Sequence, residues 1–151
     1  MSTIEFPCEQ DVIKSIIPHR DPFLWVTRVV ECTPGEYIKA ELDVDPNLDL
    51  FRGHFPSHPV LPGVVIMEAL AQTAAICLMV ARSEEGQIGF LTGIDKAKFR
   101  HQIFPGDTLV LEAQVVKSGS RMCVADVKAT VGGEVAATAT QKYVMAKADE
   151  A

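Results

Sequence analysis

Phe51-Arg52-Gly53-His54-Phe55-Pro56-Ser57-His58-Pro59-Val60-Leu61-Pro62-Gly63 runs without a break into the apolar stretch Val64 to Ala81, and this passage decides the fold. Pro56, Pro59 and Pro62 fix φ at their own positions and bias Phe55, His58 and Leu61 away from helix, so the arm before Gly63 is stiff and extended. Pro62 stands where a first helical residue is favoured, and nothing breaks the pattern until Ser83 and Gly86. The spacing predicts a helix of about 20 residues, roughly 30 Å long. It is apolar on every side, which predicts burial on every side. Glu68 is the one charge inside it, with Gln72 one turn later on the same face. A carboxylate in that setting needs a partner, a hydrogen bond or a proton. His54, carried by the proline-rich arm, is the candidate partner, and a buried acid beside an imidazole is raw material for general acid–base chemistry.

The chain has 151 residues, a single-domain length able to bury a core, and 48% of them are hydrophobic. A net charge of −6 argues against nucleic acid as the main partner, because phosphate binding needs a basic surface. Met1 to Pro7 lacks the basic start and apolar core of a signal peptide, so a cytoplasmic protein is expected. Val64 to Ala81 is long enough to raise a membrane reading. Glu68, Gln72 and Thr73 interrupt it and no basic flank orients it, so the expectation is a core helix and no membrane association. Cys8, Cys32, Cys77 and Cys123 are far apart without metal-type spacing, which reads as reduced, buried thiols. Nothing near Cys77 but its own helix would activate it as a nucleophile.

Outside the central passage the chain reads as one domain over residues 1–151, with loose tails at 1–9 and 147–151. Apolar residues at Val12, Ile13, Ile16 and Ile17 predict a short helix over Gln10–Ile17, stopped by Pro18. Phe23 to Glu31 and Tyr37 to Val44 read as a hairpin about Pro34-Gly35. Gln87 to Arg100 is extended. Thr108–Lys117, Arg121–Val131 and Glu134–Met145 read as an antiparallel meander turning at Ser118-Gly119-Ser120 and Gly132-Gly133. One apolar helix with about six strands predicts an α+β layout, an antiparallel sheet curled round the helix. Dimerisation would cover the remaining sheet edge and helix flank.

Gly53-His54-Phe55-Pro56, Pro59, Pro62-Gly63-Val64 and Glu68-Ala69-Leu70-Ala71-Gln72 together resemble the signature of the bacterial 3-hydroxyacyl-[acyl-carrier-protein] dehydratases. Pro18-His19-Arg20, Pro22-Phe23-Leu24, Gly93-Ile94-Asp95, Lys98-Phe99-Arg100 and Pro105-Gly106-Asp107 fall in the family's order, so the resemblance spans about Ile13 to Val144. It implies the hot-dog fold and dehydration of a (3R)-3-hydroxyacyl chain on acyl carrier protein to the trans-2-enoyl product. No bound cofactor or metal is implied beyond the phosphopantetheine of the substrate. The resemblance also implies a homodimer, often a trimer of dimers, with His54 as base, Glu68 as acid from the other subunit, and the Gly63 amide facing the thioester carbonyl. A helix amino terminus suits that last task on physical grounds too.

Gln72, Phe55 and Pro62 read as supporting residues, and Phe90 as the mouth of the acyl tunnel. Lys96, Lys98 and Arg100 alternate along one strand and share a face, either a solvated surface or a landing patch for the acidic carrier protein. His54 and His58 are four apart, but Pro56 and Pro59 exclude the helix that would align them for a metal. Thr27, Trp25 and Ser57 depart from the family pattern and bear on chain-length preference. Rival readings are a dehydratase–isomerase, disfavoured because relatives of that type carry aspartate where this chain has Glu68, a hot-dog thioesterase, and a non-catalytic acyl-carrier binding protein.

Overall fold

The computed structural model describes residues 4–82 and 87–147. Among them, seven strands form one antiparallel sheet in the order β1-β2-β3-β5-β6-β7-β4, with β1 Cys8–Glu9, β2 Arg28–Thr33, β3 Tyr37–Asp43, β4 Gln87–Phe99, β5 Thr108–Ser118, β6 Met122–Val131 and β7 Glu134–Lys147. The short helix α1, Gln10–Ile16, precedes β2, and the long helix α2, Gly63–Val80, packs mainly on β5 with β3, β6 and β4 beside it. This is the expected hot-dog layout, a sheet wrapped on a central helix.

Alternation places the core. Ile38, Ala40 and Leu42 of β3, Leu109, Leu111 and Ala113 of β5, and Cys123, Ala125, Val127 and Ala129 of β6 are all buried on one face. Many of these are alanines, as are Ala69, Ala71, Ala74 and Ala75 of α2, so the helix can sit close to the sheet. Leu70 is fully buried in that contact. Leu70→Ala should lower unfolding free energy by about 2–5 kcal/mol, read by urea denaturation.

Turn chemistry sets the register. Gly132 and Gly133 both have positive φ, 57° and 82°, which suits the two-residue connection between paired Val131 and Glu134. At the other hairpin, Glu36 N–H bonds to Thr33 C=O across Pro34-Gly35, and Gly35 N–H reaches the Cys77 carbonyl on α2 at 3.0 Å. The hairpin is thereby fastened to the core helix.

Several expectations shift. The amino-terminal tail is shorter than 1–9, because Cys8–Glu9 pairs with Val29 and Arg28 and Cys8 is buried. Two residues are too few to show a strand period in sequence. At the other end β7 continues to Lys147, so that residue belongs to the sheet, and the rest of the expected tail lies outside the described residues. Residues 23–27 precede β2 and lie outside the ladder, and Asp49–Arg52 form a 3₁₀ turn at the start of the arm. The helix has 18 residues with Pro62 as its N-cap; the stop signals Ser83 and Gly86 lie outside the described residues. Nor is α2 buried all round, since Val64 is 78% exposed. Length and composition would let α2 cross a membrane, but most of it is enclosed by its own sheet. Cys77 has a neighbour that the sequence hides: the Cys32 thiol hydrogen-bonds to it, and that bond with burial pushes Cys32 well above the usual thiol range. All four thiols are free.

Candidate active site

The arm before α2 is closed by its own backbone. His54 N–H bonds to Leu50 C=O, Phe55 and His58 bond to each other, Val60 N–H bonds to the His54 carbonyl, and Leu61 N–H bonds to Ile103 C=O. Prolines explain why this succeeds, because they leave few other conformations to choose from. Within the loop, His54 Nδ1 lies 2.9 Å from the Val60 carbonyl. A carbonyl can only accept, so Nδ1 carries the hydrogen and Nε2 keeps a free lone pair, as a base requires. The Phe55 ring stacks on the imidazole with centroids 4.2 Å apart, half-exposed itself.

Glu68 sits on the first turns of α2 and faces a cavity of about 400 Å³. Pro18, His19, Ala71, Gln72, Phe90 and Tyr143 are among the residues of its wall. Gln72 Nε2 donates to Glu68 Oε2 at 2.9 Å and to the Phe23 carbonyl at 2.9 Å, while its Oε1 accepts the Trp25 N–H at 2.8 Å. A backbone N–H fixes the oxygen end, so the amide cannot flip, and Gln72 must present a donor to the carboxyl group. His19 Nε2 lies 3.7 Å from the same oxygen. Burial holds His19 below the ordinary imidazole pKa, Glu68 pulls the other way, and Arg20 adds to the lowering.

Gly63 is the first residue of α2. Among the described residues no acceptor takes its N–H, and no acidic residue occupies the first turn. That leaves an open N–H at the positive end of the helix dipole. A Cβ at this position would stand 2.9 Å from Phe99 Cε1, so the glycine lets the ring of the half-exposed Phe99 lie against the backbone.

Lys96, Lys98 and Arg100 do share a face, although the strand is irregular there, with Lys96 at φ 56° and a register shift between Asp95 and Lys98. With Lys128, Tyr37 and Glu112 they border a shallow groove of about 550 Å³ on the outer side of the sheet. Among the described residues none of Lys96, Lys98 or Arg100 forms an ion pair, whereas Lys128 faces Glu112 at 3.8 Å. This groove is larger than the Glu68 cavity, but no imidazole borders it.

The structure thus brings Glu68, Gln72 and Phe90 into one cavity and leaves His54 out of its wall. His54 lies on the arm and Gly63 at the helix start, Pro62 caps that helix, and the three basic residues lie on the outer face. The sequence reading did not place Tyr143 in the wall. Tyr143 is buried and donates to Gln141 Oε1 at 2.5 Å, while Gln141 Nε2 donates to the Met67 carbonyl beside Glu68 at 2.9 Å. A glutamine among the inward positions of a strand was the available signal, since a buried amide must be answered by a partner.

A family profile described as a FabA-like domain matches residues 17–140. The 3-hydroxyacyl-[acyl-carrier-protein] dehydratase FabZ of Ruminiclostridium cellulolyticum is 45% identical over 136 residues, covering 90% of this chain and 96% of that protein. The protein of the same name from Oceanobacillus iheyensis is 47% identical over 127 residues, 84% of this chain and 91% of its own length. Among solved structures, the dehydratase heterocomplex ApeI:P from Xenorhabdus doucetiae aligns with a TM-score of 0.76 at 14% identity, over 97% of this chain and 95% of that one. A hypothetical thioesterase with coenzyme A from Streptococcus pneumoniae aligns at 0.62 and 15% identity, over 89% and 91% of the two chains. At those identities the two structures speak to the fold alone.

Proposed function

The chain belongs to the FabA-like family of 3-hydroxyacyl-[acyl-carrier-protein] dehydratases of fatty-acid synthesis, and we propose that it performs that dehydration with His54 as base and Glu68 as acid. The observation that carries the reaction is 45% identity to a FabZ dehydratase across 90% of the chain. The geometry supports the roles. His54 Nε2 has its lone pair free to take the C2 proton. Glu68 delivers a proton to the C3 hydroxyl, which departs as water, and the C2–C3 double bond forms from the electrons of the broken C2–H bond. Negative charge gathering on the thioester oxygen meets the open Gly63 N–H. Each proton transfer by a positioned group contributes about 10²–10⁴-fold. The trans-2-enoyl product from a (3R) substrate belongs to this proposal, and the three groups carry it without a resident cofactor.

The site is completed by a second copy of the chain. Among the described residues β4 is the last strand of the sheet and pairs with β7 on one side, and no strand pairs with its other side. Near one end it supplies Ile88 to Leu91 of the Glu68 cavity, and at the other it lays Phe99 against Gly63. Antiparallel pairing of two such edges, centred near Ile94, sets Phe99 of one strand opposite about Gly89 of the other. His54 and Gly63 of one subunit then approach Glu68 of the partner subunit. Exposed Ile94, Phe99, Val64 and Phe55 lie where such pairing would cover apolar surface. A homodimer, assembled further as a trimer of dimers, is the proposed form.

The partner that presents the substrate is acyl carrier protein. Lys96, Lys98 and Arg100 give a basic face on a chain of net charge −6, a landing surface for an acidic carrier. A cytoplasmic location is part of the same proposal. The reading is tested with crotonyl thioester: purified protein should bleach the enoyl absorbance as water adds, and release of free thiol without that change would indicate a thioesterase instead. A ten-carbon 3-hydroxyacyl substrate should give the trans-2 product alone; a cis-3 product would mark an isomerase.

A further inference from the structure

We infer that His19 is a positioning residue for Glu68: together with Gln72 it holds one carboxyl oxygen, Oε2, so that the proton used in dehydration leaves from the other oxygen, Oε1. The inference rests on the reading of Glu68 as the acid.

Three observations carry it. First, the Gln72 amide is locked by the Trp25 N–H and the Phe23 carbonyl, so the group it turns to Glu68 Oε2 is N–H. Second, His19 Nδ1 is buried and has no hydrogen-bond partner among the described residues. A hydrogen on Nδ1 would be a stranded donor, the costlier kind of buried orphan. Placed on Nε2 instead, the same hydrogen faces Glu68 Oε2 across 3.7 Å, a gap of the kind that tightens when substrate fills a site. Burial favours the neutral ring, which carries this one hydrogen. Third, the bend holding His19 is clasped: the Arg20 guanidinium donates to the carbonyls of Lys14, Ile17 and His19 at 3.0, 3.0 and 2.7 Å.

Two N–H groups therefore converge on Oε2. A carboxyl proton on that oxygen would meet both head on, so it resides on Oε1. Without His19, Oε2 keeps the Gln72 bond but the carboxyl plane can swing about it. A misplacement of the acid by an ångström costs rate far more than it costs substrate binding.

The test replaces His19 with Phe, Gln and Asn in the full chain and measures kcat, KM and thermal melting with a 3-hydroxyacyl thioester. Phe keeps the ring volume and no N–H. Gln puts an amide nitrogen where Nε2 stood, and Asn puts its polar atoms near Nδ1. His19→Phe and His19→Asn are expected to lose about 10- to 100-fold in kcat with KM within about twofold, and His19→Gln to recover most of the loss. A packing role would order them differently, with Phe the best tolerated. Full kcat in His19→Phe, a loss confined to KM, a Gln variant no better than Phe, or kcat losses that follow the melting temperatures would each overturn the assignment. Glu68→Gln run alongside separates the two claims. If it keeps wild-type kcat, the reading of Glu68 as acid fails; if it is inactive while His19→Phe keeps wild-type kcat, the His19 role alone fails.

Discussion

Co-expressed His54→Ala and Glu68→Gln chains should recover about a quarter of wild-type turnover when reassorted at random, although each variant alone is expected to lose about 10²–10⁴-fold. The figure follows from counting. Half of the dimers are mixed, and in a mixed dimer one of two composite sites keeps both His54 and Glu68. The reason to expect composite sites is geometric: in one chain the Glu68 cavity has no His54 in its wall. Glu68→Gln is the suitable partner variant because it keeps the shape that Gln72 contacts and removes the acid. The measurement is steady-state dehydration by the purified mixture against the two separate variants. If the mixture is as inactive as its components, each site is built within one chain, and the pairing of β4 edges is not what completes it.

The second large effect concerns a single hydrogen. Gly63→Pro should lower kcat by about 10²–10³-fold, while Gly63→Ala should stay within about tenfold of wild type. Proline is well suited to this position otherwise. It would occupy the first residue of α2, where its fixed φ is compatible with helix, and Pro62 before it already has φ −60° and ψ 140°, the conformation that a following proline demands. What proline removes is the N–H that no acceptor in the described chain takes. Both variants push a Cβ toward the Phe99 ring at 2.9 Å, so alanine controls for that crowding. Half-exposed Phe99 can swing aside for either. Equal losses in the two variants, with equal melting temperatures, would show that crowding matters and the amide does not.

The large outlines were legible because they depend on local chemistry. A mostly apolar run from Val64 to Ala81 after three prolines, broken by Glu68, Gln72 and Thr73, reads as a core helix, and Gly132-Gly133 between two alternating segments names its own hairpin. What stayed hidden was set by contacts between distant residues. Val64 looks like core in the sequence and is 78% exposed, because the apolar run cannot say which side of the helix the curled sheet leaves open. The orientation of Gln72 depends on Trp25, 47 residues away, and the contact of His19 with Glu68 joins the bend after α1 to the central helix. Tyr143 falls within the strand expected over Glu134–Met145, but only the fold sets it on the border of the Glu68 cavity. Cys32 and Cys77 lie far apart in the sequence and meet only because the β2–β3 hairpin leans on the end of α2.

β4 does two jobs with one stretch of backbone. Its side chains from Ile88 to Leu91 border the chamber beside Glu68, and its outward N–H and C=O groups form the rim of the whole sheet. A chain laid along that rim therefore leans on the chamber's own frame. Loosening the seam changes the room in which an acyl tail lies, and a tail that presses outward strains the seam. Holding together and gripping the substrate are, in this molecule, a single mechanical problem.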